Sequence, residues 1–137
     1  MRWKIEIFHK IMKSGCNAEK VKLRTAERLV NLLAVFCILS WRIFWITMSS
    51  RPSPEAAPDV ALTAMGVKIL DRVVPDKQPT AGSARGLAVY VVKIARLGGY
   101  LNRSRDPPPG NIVMWRGMTR LTDIALGVSL ATETVGN

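Results

Sequence analysis

Histidine and cysteine are scarce: His9 is the one histidine, and Cys16 and Cys37 are the two cysteines, in 137 residues. The cysteines form neither a metal-ligand spacing nor a disulfide framework, which points to a reduced, intracellular setting. Acid is scarce as well, with ten Asp plus Glu against twenty Lys plus Arg. Two-metal phosphoryl transfer needs several carboxylates around a pair of ions, and the acids here show no such constellation. Signal-peptide chemistry is absent, since Met1-Arg2-Trp3-Lys4-Ile5-Glu6 alternates charge and bulk. There is no internal repeat, no Gly-rich phosphate loop and no groove pattern of interleaved aromatics and cations. The length allows one domain or less and excludes a catalytic domain with a second one inserted. What is present is positive charge, +10 net, with 48% apolar residues. That apolar content excludes a wholly disordered chain, and the charge points to a polyanionic partner, nucleic acid first and an acidic membrane surface second.

One long apolar run stands out. All of Leu29–Met48 is apolar except Asn31, Ser40, Arg42 and Thr47, about the length that spans a bilayer. An Arg inside a spanning helix costs on the order of 2.5–3.5 kcal/mol on insertion scales, although Arg42 is near enough to an end to snorkel. Arg24, Arg28 and Arg51 flank both ends, so charge assigns no orientation. Hydropathy alone fits either a membrane helix or a helix buried on nearly all sides of a larger core.

Residues 1–13 read as an amphipathic helix that stops at Ser14-Gly15-Cys16-Asn17. Helical patterning resumes near Ala18 and continues to Met48, as one helix or two. Ser49–Pro58 holds Pro52, Pro54 and Pro58 and reads as a linker, dividing the chain into 1–48 and 59–137. Asp59–Val74 supports a short helix with Leu62, Met65, Ile69, Leu70 and Val73 toward a core, followed by a polar loop from Pro75 to Gly86. Leu87, Val91, Ile94, Gly98 and Leu101 then form a seam of heptad type, as do Met114, Met118, Leu121, Ala125 and Val128. The first seam reads as intramolecular core, the second as core or dimer contact. Asp106-Pro107-Pro108-Pro109-Gly110-Asn111 between them predicts a stiff turn and hence a helical hairpin. Gly117 and Gly127 weaken the last helix by about 1 kcal/mol each relative to Ala. Cys37, Trp41, Trp45 and Trp115 read as packing residues, Leu97-Gly98-Gly99-Tyr100 as a close helix approach, and His9 as a surface or helix-end residue.

On the first helix, at roughly 100° per residue and with Glu6 at zero, Arg2 lies at about −40°, Lys13 at about −20°, Lys10 at about +40° and His9 at about −60°. Ile5, Ile7, Phe8, Ile11 and Met12 take the opposite arc, with Lys4 as its one misfit. The stripe reads as a solvated face braced by Arg2–Glu6 and Glu6–Lys10 pairs worth a few tenths of a kcal/mol each. It also suits a carboxylate that holds a divalent metal while its neighbouring cations bind substrate phosphates.

Arg2-Trp3-Lys4-Ile5-Glu6-Ile7-Phe8-His9-Lys10, with Lys13-Ser14-Gly15, resembles the signature of the insertion-sequence-four family of bacterial cut-and-paste transposases. That signature is Tyr, two residues, Arg, three residues, Glu, six residues, Lys. Arg2, Glu6 and Lys13 meet the last three positions, and the Tyr would fall before Met1. Ile94-Ala95-Arg96-Leu97-Gly98-Gly99-Tyr100 through Trp115-Arg116-Gly117 resembles the family's C-terminal dimerisation domain, and Leu29–Met48 its long core helix after the signature. The likeness covers almost the whole chain in the same order.

The resemblance implies a mainly α chain: the last helices of an RNase-H-like core in 1–48, a linker in 49–58 and a helical dimerisation domain in 59–137. It implies that Glu6 completes an Asp-Asp-Glu triad that binds Mg²⁺ or Mn²⁺. Arg2, Lys13 and Lys10 would contact transposon-end phosphates, and Met114, Met118, Leu121, Ala125 and Val128 would serve dimerisation. The expected partners are DNA and a second transposase chain, not a membrane, in the cytoplasm at the nucleoid. The family's two Asp are not in this chain, so it is expected to be a C-terminal fragment that neither cuts nor joins DNA alone. The competing readings are a basic single-span membrane protein and a dimerising inhibitor of full-length transposase.

Overall fold

The computed structural model describes residues 2–15, 22, 24–76 and 85–135, with the side chains of Arg2, Thr134 and Val135 outside that description. The expected stop at Cys16-Asn17, the helix start near Ala18 and most of the Pro75–Gly86 loop also lie outside it. The described residues are mainly helical and contain no strand: α1 (Arg2–Lys10), a π-helical turn (Ile11–Gly15), α2 (Ala26–Ser50), a 3₁₀ turn (Pro58–Val60), α3 (Ala64–Val73), α4 (Leu87–Leu97) and α5 (Asn111–Val135).

The third helix starts later than the apolar spacing suggests, because Pro58-Asp59-Val60 forms the 3₁₀ turn and Thr63 is the cap. Thr63 Oγ1 accepts the Gly66 amide at 3.1 Å, satisfying one of the open donors of the first turn. Leu62, Ile69 and Leu70 are buried as the spacing requires, but Met65 and Val73 are exposed. Val74 takes the last inward place instead, since the helix ends at Val73 and Val74 leaves in a non-helical conformation.

Ser49–Pro58 is not a free tether. Ser49 and Ser50 end α2, and Pro54 and Ala56 lie against the start of α4. The Leu87 amide donates to Ala56 O at 2.8 Å and the Ala88 amide to Pro54 O at 3.0 Å. Two N-terminal donors that α4 cannot satisfy itself are thereby paired. Gly86 is required at this contact, because a Cβ there would lie 2.4 Å from Pro54 O.

α4 and α5 form the expected hairpin, crossing at Gly98 and Gly117. The connection is longer than the proline turn alone, because α4 stops at Leu97 and Gly99, at φ +100°, turns the chain away. Leu101 is therefore exposed, while Leu87, Ile94 and Gly98 of the same seam are buried. One apolar cluster joins Ile11 of the π turn, Ile43, Phe44 and Ile46 of α2, Leu70 of α3, Leu87 and Ile94 of α4, and Met114, Met118 and Leu121 of α5. The 1–48 and 59–137 segments thus share a core rather than standing apart.

Only the last third of α2 enters that core. Leu29, Val30, Leu33, Val35, Ile38, Trp41 and Trp45 are all exposed, with Trp41 at 54% and Trp45 at 45%. Cys37 is exposed too, its Sγ 3.9 Å from Met12 Sδ. Among the described residues Trp41, Trp45 and Cys37 are therefore not core residues, although Trp41 stacks on Trp45 with 6.2 Å between ring centroids. Trp115 does pack, half-buried and edge-on to Phe36 at 5.8 Å between ring centroids.

Candidate nucleic-acid interface

α1 lies against α2 and presents two surfaces of opposite chemistry. Ile7 and Met12 are half-buried and Ile11 fully buried, so the apolar arc is the inner face. Ile5 departs from that arc and stays exposed beside Trp3. Glu6, Lys10 and Lys13 are exposed on the other side, together with His9. Arg2 belongs to α1, and its side chain lies outside the description.

The π-helical turn changes the stripe that regular spacing predicts. A π turn closes i→i+5 bonds and winds less per residue than an α-helix, so Lys13 lags behind the line through Glu6 and Lys10. Ser14 Oγ donates to Lys10 O at 2.6 Å, occupying a carbonyl at this irregular end. Single-sequence periodicity assumes a constant 3.6 residues per turn and has no means of seeing the change.

Does this surface fit a divalent metal pair? No group of three or more His, Cys, Asp or Glu side chains comes together among the described residues. A lone exposed carboxylate does not supply the several oxygen ligands that a two-metal site demands. Glu6 and its cations suit phosphate contact around one metal ligand, and the described residues bring no pair of further carboxylates to it.

On the arc of α1 opposite Glu6, α1 and α2 enclose an open apolar groove of about 560 Å³ lined by Lys4, Ile5, Phe8, Trp41, Phe44, Trp45, Met48, Ser49 and Pro52. Lys4, the misfit of the apolar arc, is exposed and helps line the groove. The groove continues the uncovered apolar flank of α2. Most apolar side chains in the first half of α2 are exposed among the described residues. Amide exchange should be graded accordingly. The amides of Leu33–Leu39, in a helix packed on one side only, are expected to exchange well before those of Ile94, Ala95 and Met118. Equal protection in a monomer contradicts this ordering.

The second seam divides. Met114 (2% exposed), Met118 (2%) and Leu121 (5%) are core residues of this chain, Ala125 is half-buried and Val128 is exposed. A dimer contact through the first three would open the core. Further along α5, Leu126 and Leu130 are exposed as well.

One polar constellation was not visible in the spacing. Lys93, 1% exposed on the inner face of α4, donates from Nζ to Asp71 Oδ1 at 2.6 Å and lies 3.2 Å from Asp76 Oδ2. Arg85 reaches the same two carboxylates at 2.9 and 3.2 Å, and the Tyr90 hydroxyl donates to Asp71 Oδ2 at 3.1 Å. Burial pushes the Asp71 carboxyl up, but the hydrogen bond and charge of Lys93, with Tyr90 and Arg85, hold it below its ordinary value. Burial and then the Asp71 charge raise the Tyr90 hydroxyl. Two cations offset two anions, which makes this a clasp between α3 and α4 and not a reactive centre. The available signal was a lysine among Leu87, Tyr90 and Ile94, since a buried ammonium requires partners. No protein-family model matches the chain.

Proposed function

We propose that this chain carries the C-terminal part of an insertion-sequence-four-type DDE transposase, taking part in DNA transposition through DNA contact and dimerisation. In this reading Glu6 is the third metal ligand of a triad whose two Asp lie on another stretch of polypeptide. Lys10, Lys13 and Arg2 contact phosphates near the transposon end. The observation that supports it best is the exposed apolar flank of α2, the helix against which the inner face of α1 lies. A core helix separated from the sheet it normally covers has that appearance. The ions, when bound in a complete site, would activate the nucleophile and stabilise the leaving oxygen of strand cleavage. This chain's own residues hold one ligand and orient phosphates, so alone it is expected to be inactive.

A membrane span is the other use for such a helix, since Ala26–Ser50 is long and apolar enough by length and composition. The geometry favours the transposase reading over it. Ser40, Ile43, Phe44 and Ile46 are buried within the protein. The remaining stretch, Ala26–Leu39, is about 21 Å long at 1.5 Å per residue, short of the roughly 30 Å hydrocarbon layer. It also carries Glu27, Arg28 and Asn31.

The test is a hybrid in which this chain replaces the corresponding C-terminal part of an active family transposase. Metal-dependent cleavage of transposon-end DNA is expected to survive, and Glu6→Gln to reduce it to background while end binding persists. A folded hybrid whose cleavage is indifferent to Glu6→Gln, or Glu6-dependent cleavage by this chain alone, overturns the proposal. Pairing with a second transposase chain would use the exposed Leu126 and Leu130 rather than the buried Leu121.

A further inference from the structure

We propose that the α4–α5 connection bears a second phosphate-binding surface, made by Arg103, Arg105 and Arg116 and fitted to the backbone of duplex DNA. The inference is independent of the transposase reading, because it uses only the C-terminal hairpin. Between Arg85 and Thr122 the cations are Arg85, Lys93, Arg96, Arg103, Arg105, Arg116 and Arg120, and the only acid is Asp106. Asp71 and Asp76 offset Arg85 and Lys93. Asp106 turns one oxygen to the backbone amide of Arg103 at 2.8 Å, serving the turn. Five arginines remain at one end of the hairpin with a single carboxylate among them.

Two of the five are tied down at the end of α4. Arg120 Nη1 donates to Leu97 O at 2.7 Å and Arg96 Nη1 approaches Pro75 O at 3.5 Å. They add positive potential without being free to grip a ligand. Arg103, Arg105 and Arg116 are exposed and form no ion pair with another described residue.

The connection that carries two of them is stiff. The Tyr100 hydroxyl donates to Pro107 O at 2.7 Å and the Asp106 amide to Arg103 O at 3.0 Å, with three prolines following. Arg116 lies five residues into α5, roughly 7.5 Å along its axis. The helix crossing sets Gly98, five residues before Arg103, against Val113 and Gly117, the stretch of α5 that carries Arg116. Guanidinium groups present paired donors to phosphate oxygens, and holding them on a stiff loop lowers the entropy lost on contact. The immediate neighbours, Asn102, Ser104 and Asp106, are polar. A bilayer surface would call for an apolar face to insert, and beside this loop Leu101 and Ile112 are the large, apolar and exposed side chains among the described residues, one at each end. The chemistry therefore favours nucleic acid over lipid.

The experiment measures fluorescence anisotropy of a labelled duplex of about 30 base pairs with the whole chain, between about 50 and 200 mM salt. Replacing Arg103, Arg105 and Arg116 together by alanine is expected to weaken binding at least about tenfold at the lowest salt. The logarithmic salt slope should fall by about 2–3, at close to 0.9 per lost phosphate contact. The triple lysine variant should recover most of the affinity, and Lys10→Ala with Lys13→Ala should weaken binding further when combined with the alanine triple. Unchanged affinity and slope, in a triple variant that melts like the parent, overturn the proposal. So does a variant that keeps duplex affinity but loses binding to vesicles containing phosphatidylserine. Arg105→Glu is the second variant, at a side chain with no structural contact, and must reproduce the loss if the triple alanine chain melts early.

Discussion

Alanine at position 117 is expected to destabilise the chain by about 3 kcal/mol, read as a lower denaturant midpoint in far-ultraviolet circular dichroism. Helix propensity predicts the opposite sign, about 1 kcal/mol in favour of alanine inside a helix. The crossing of α4 and α5 decides between them. A Cβ on Gly117 would stand 1.9 Å from the carbonyl oxygen of Ile94, and one on Gly98 1.9 Å from that of Val113. Both obstacles are backbone, so no side-chain rotation relieves them and the two helices must separate. Separation would loosen the layer in which Ile94, Met114 and Met118 are buried. Gly127 supplies the control on the same helix, because a Cβ there meets nothing within 4 Å. Gly127→Ala should stabilise by up to about 1 kcal/mol. If the 117 and 127 variants move the midpoint together, the close crossing is absent in solution.

The second large effect belongs to the Asp71 clasp. Asp71→Leu is expected to cost about 3–5 kcal/mol, because the enclosed Lys93 ammonium is left with Asp76 alone, which Arg85 already shares. Adding Lys93→Met should return most of the loss, leaving the double variant within about 1 kcal/mol of the parent. Arg85 and Asp76 remain a matched pair, and the methionine keeps the volume of the lysine stem. A double variant as unstable as the single one would show that packing, not the stranded charge, sets the cost. The pH dependence has a definite sign. Asp71 titrates lower in the folded chain than in the unfolded one, where its value is near the ordinary 3.9. Its contribution is therefore fully present above about pH 4 and is lost as pH falls through the depressed folded value. Tyr90, raised on folding, contributes below about pH 10 and loses that contribution as pH rises through its folded value. Asp71→Asn should flatten the acid limb of a thermal-stability profile and weaken the alkaline limb in part, leaving there the share that burial of Tyr90 sets.

Several elements were legible from residue order. The amphipathic first helix, the long apolar helix, the short helix ending near Val74 and the hairpin about the proline turn all form, with α2 and α3 starting later, at Ala26 and Ala64, than the spacing suggests. The close approach at Gly98 was legible because glycine in a heptad seam leaves room for a backbone neighbour. The exposed cations Lys10 and Lys13 followed from helical spacing, although the π turn moves Lys13 off the common line. Burial was less legible. Met65, Val73 and Leu101 carry apolar side chains at seam positions, yet each sits where a helix has just begun or ended, and the change of backbone direction turns it to solvent. Cys37, Trp41 and Trp45 read as core by composition, but each stays exposed among the described residues.

The sequence by itself determined the mainly helical character, the excess of positive charge and the places where the chain turns. These depend on side-chain periodicity, ionisation and the restricted backbone of proline, which act within a few residues. Tertiary structure alone decided that Met114, Met118 and Leu121 are buried in this chain's core, and that Gly117 sits at a close crossing while Gly127 has open space. It also brought Asp71 and Asp76 to Lys93, more than sixteen positions away. Heptad spacing reports that a helix face is covered without naming the covering surface. A buried charge calls for a counter-charge wherever the fold can bring one. Both are settled only when distant segments meet, and the energy of meeting is set by shape and solvent exclusion, which no local pattern encodes.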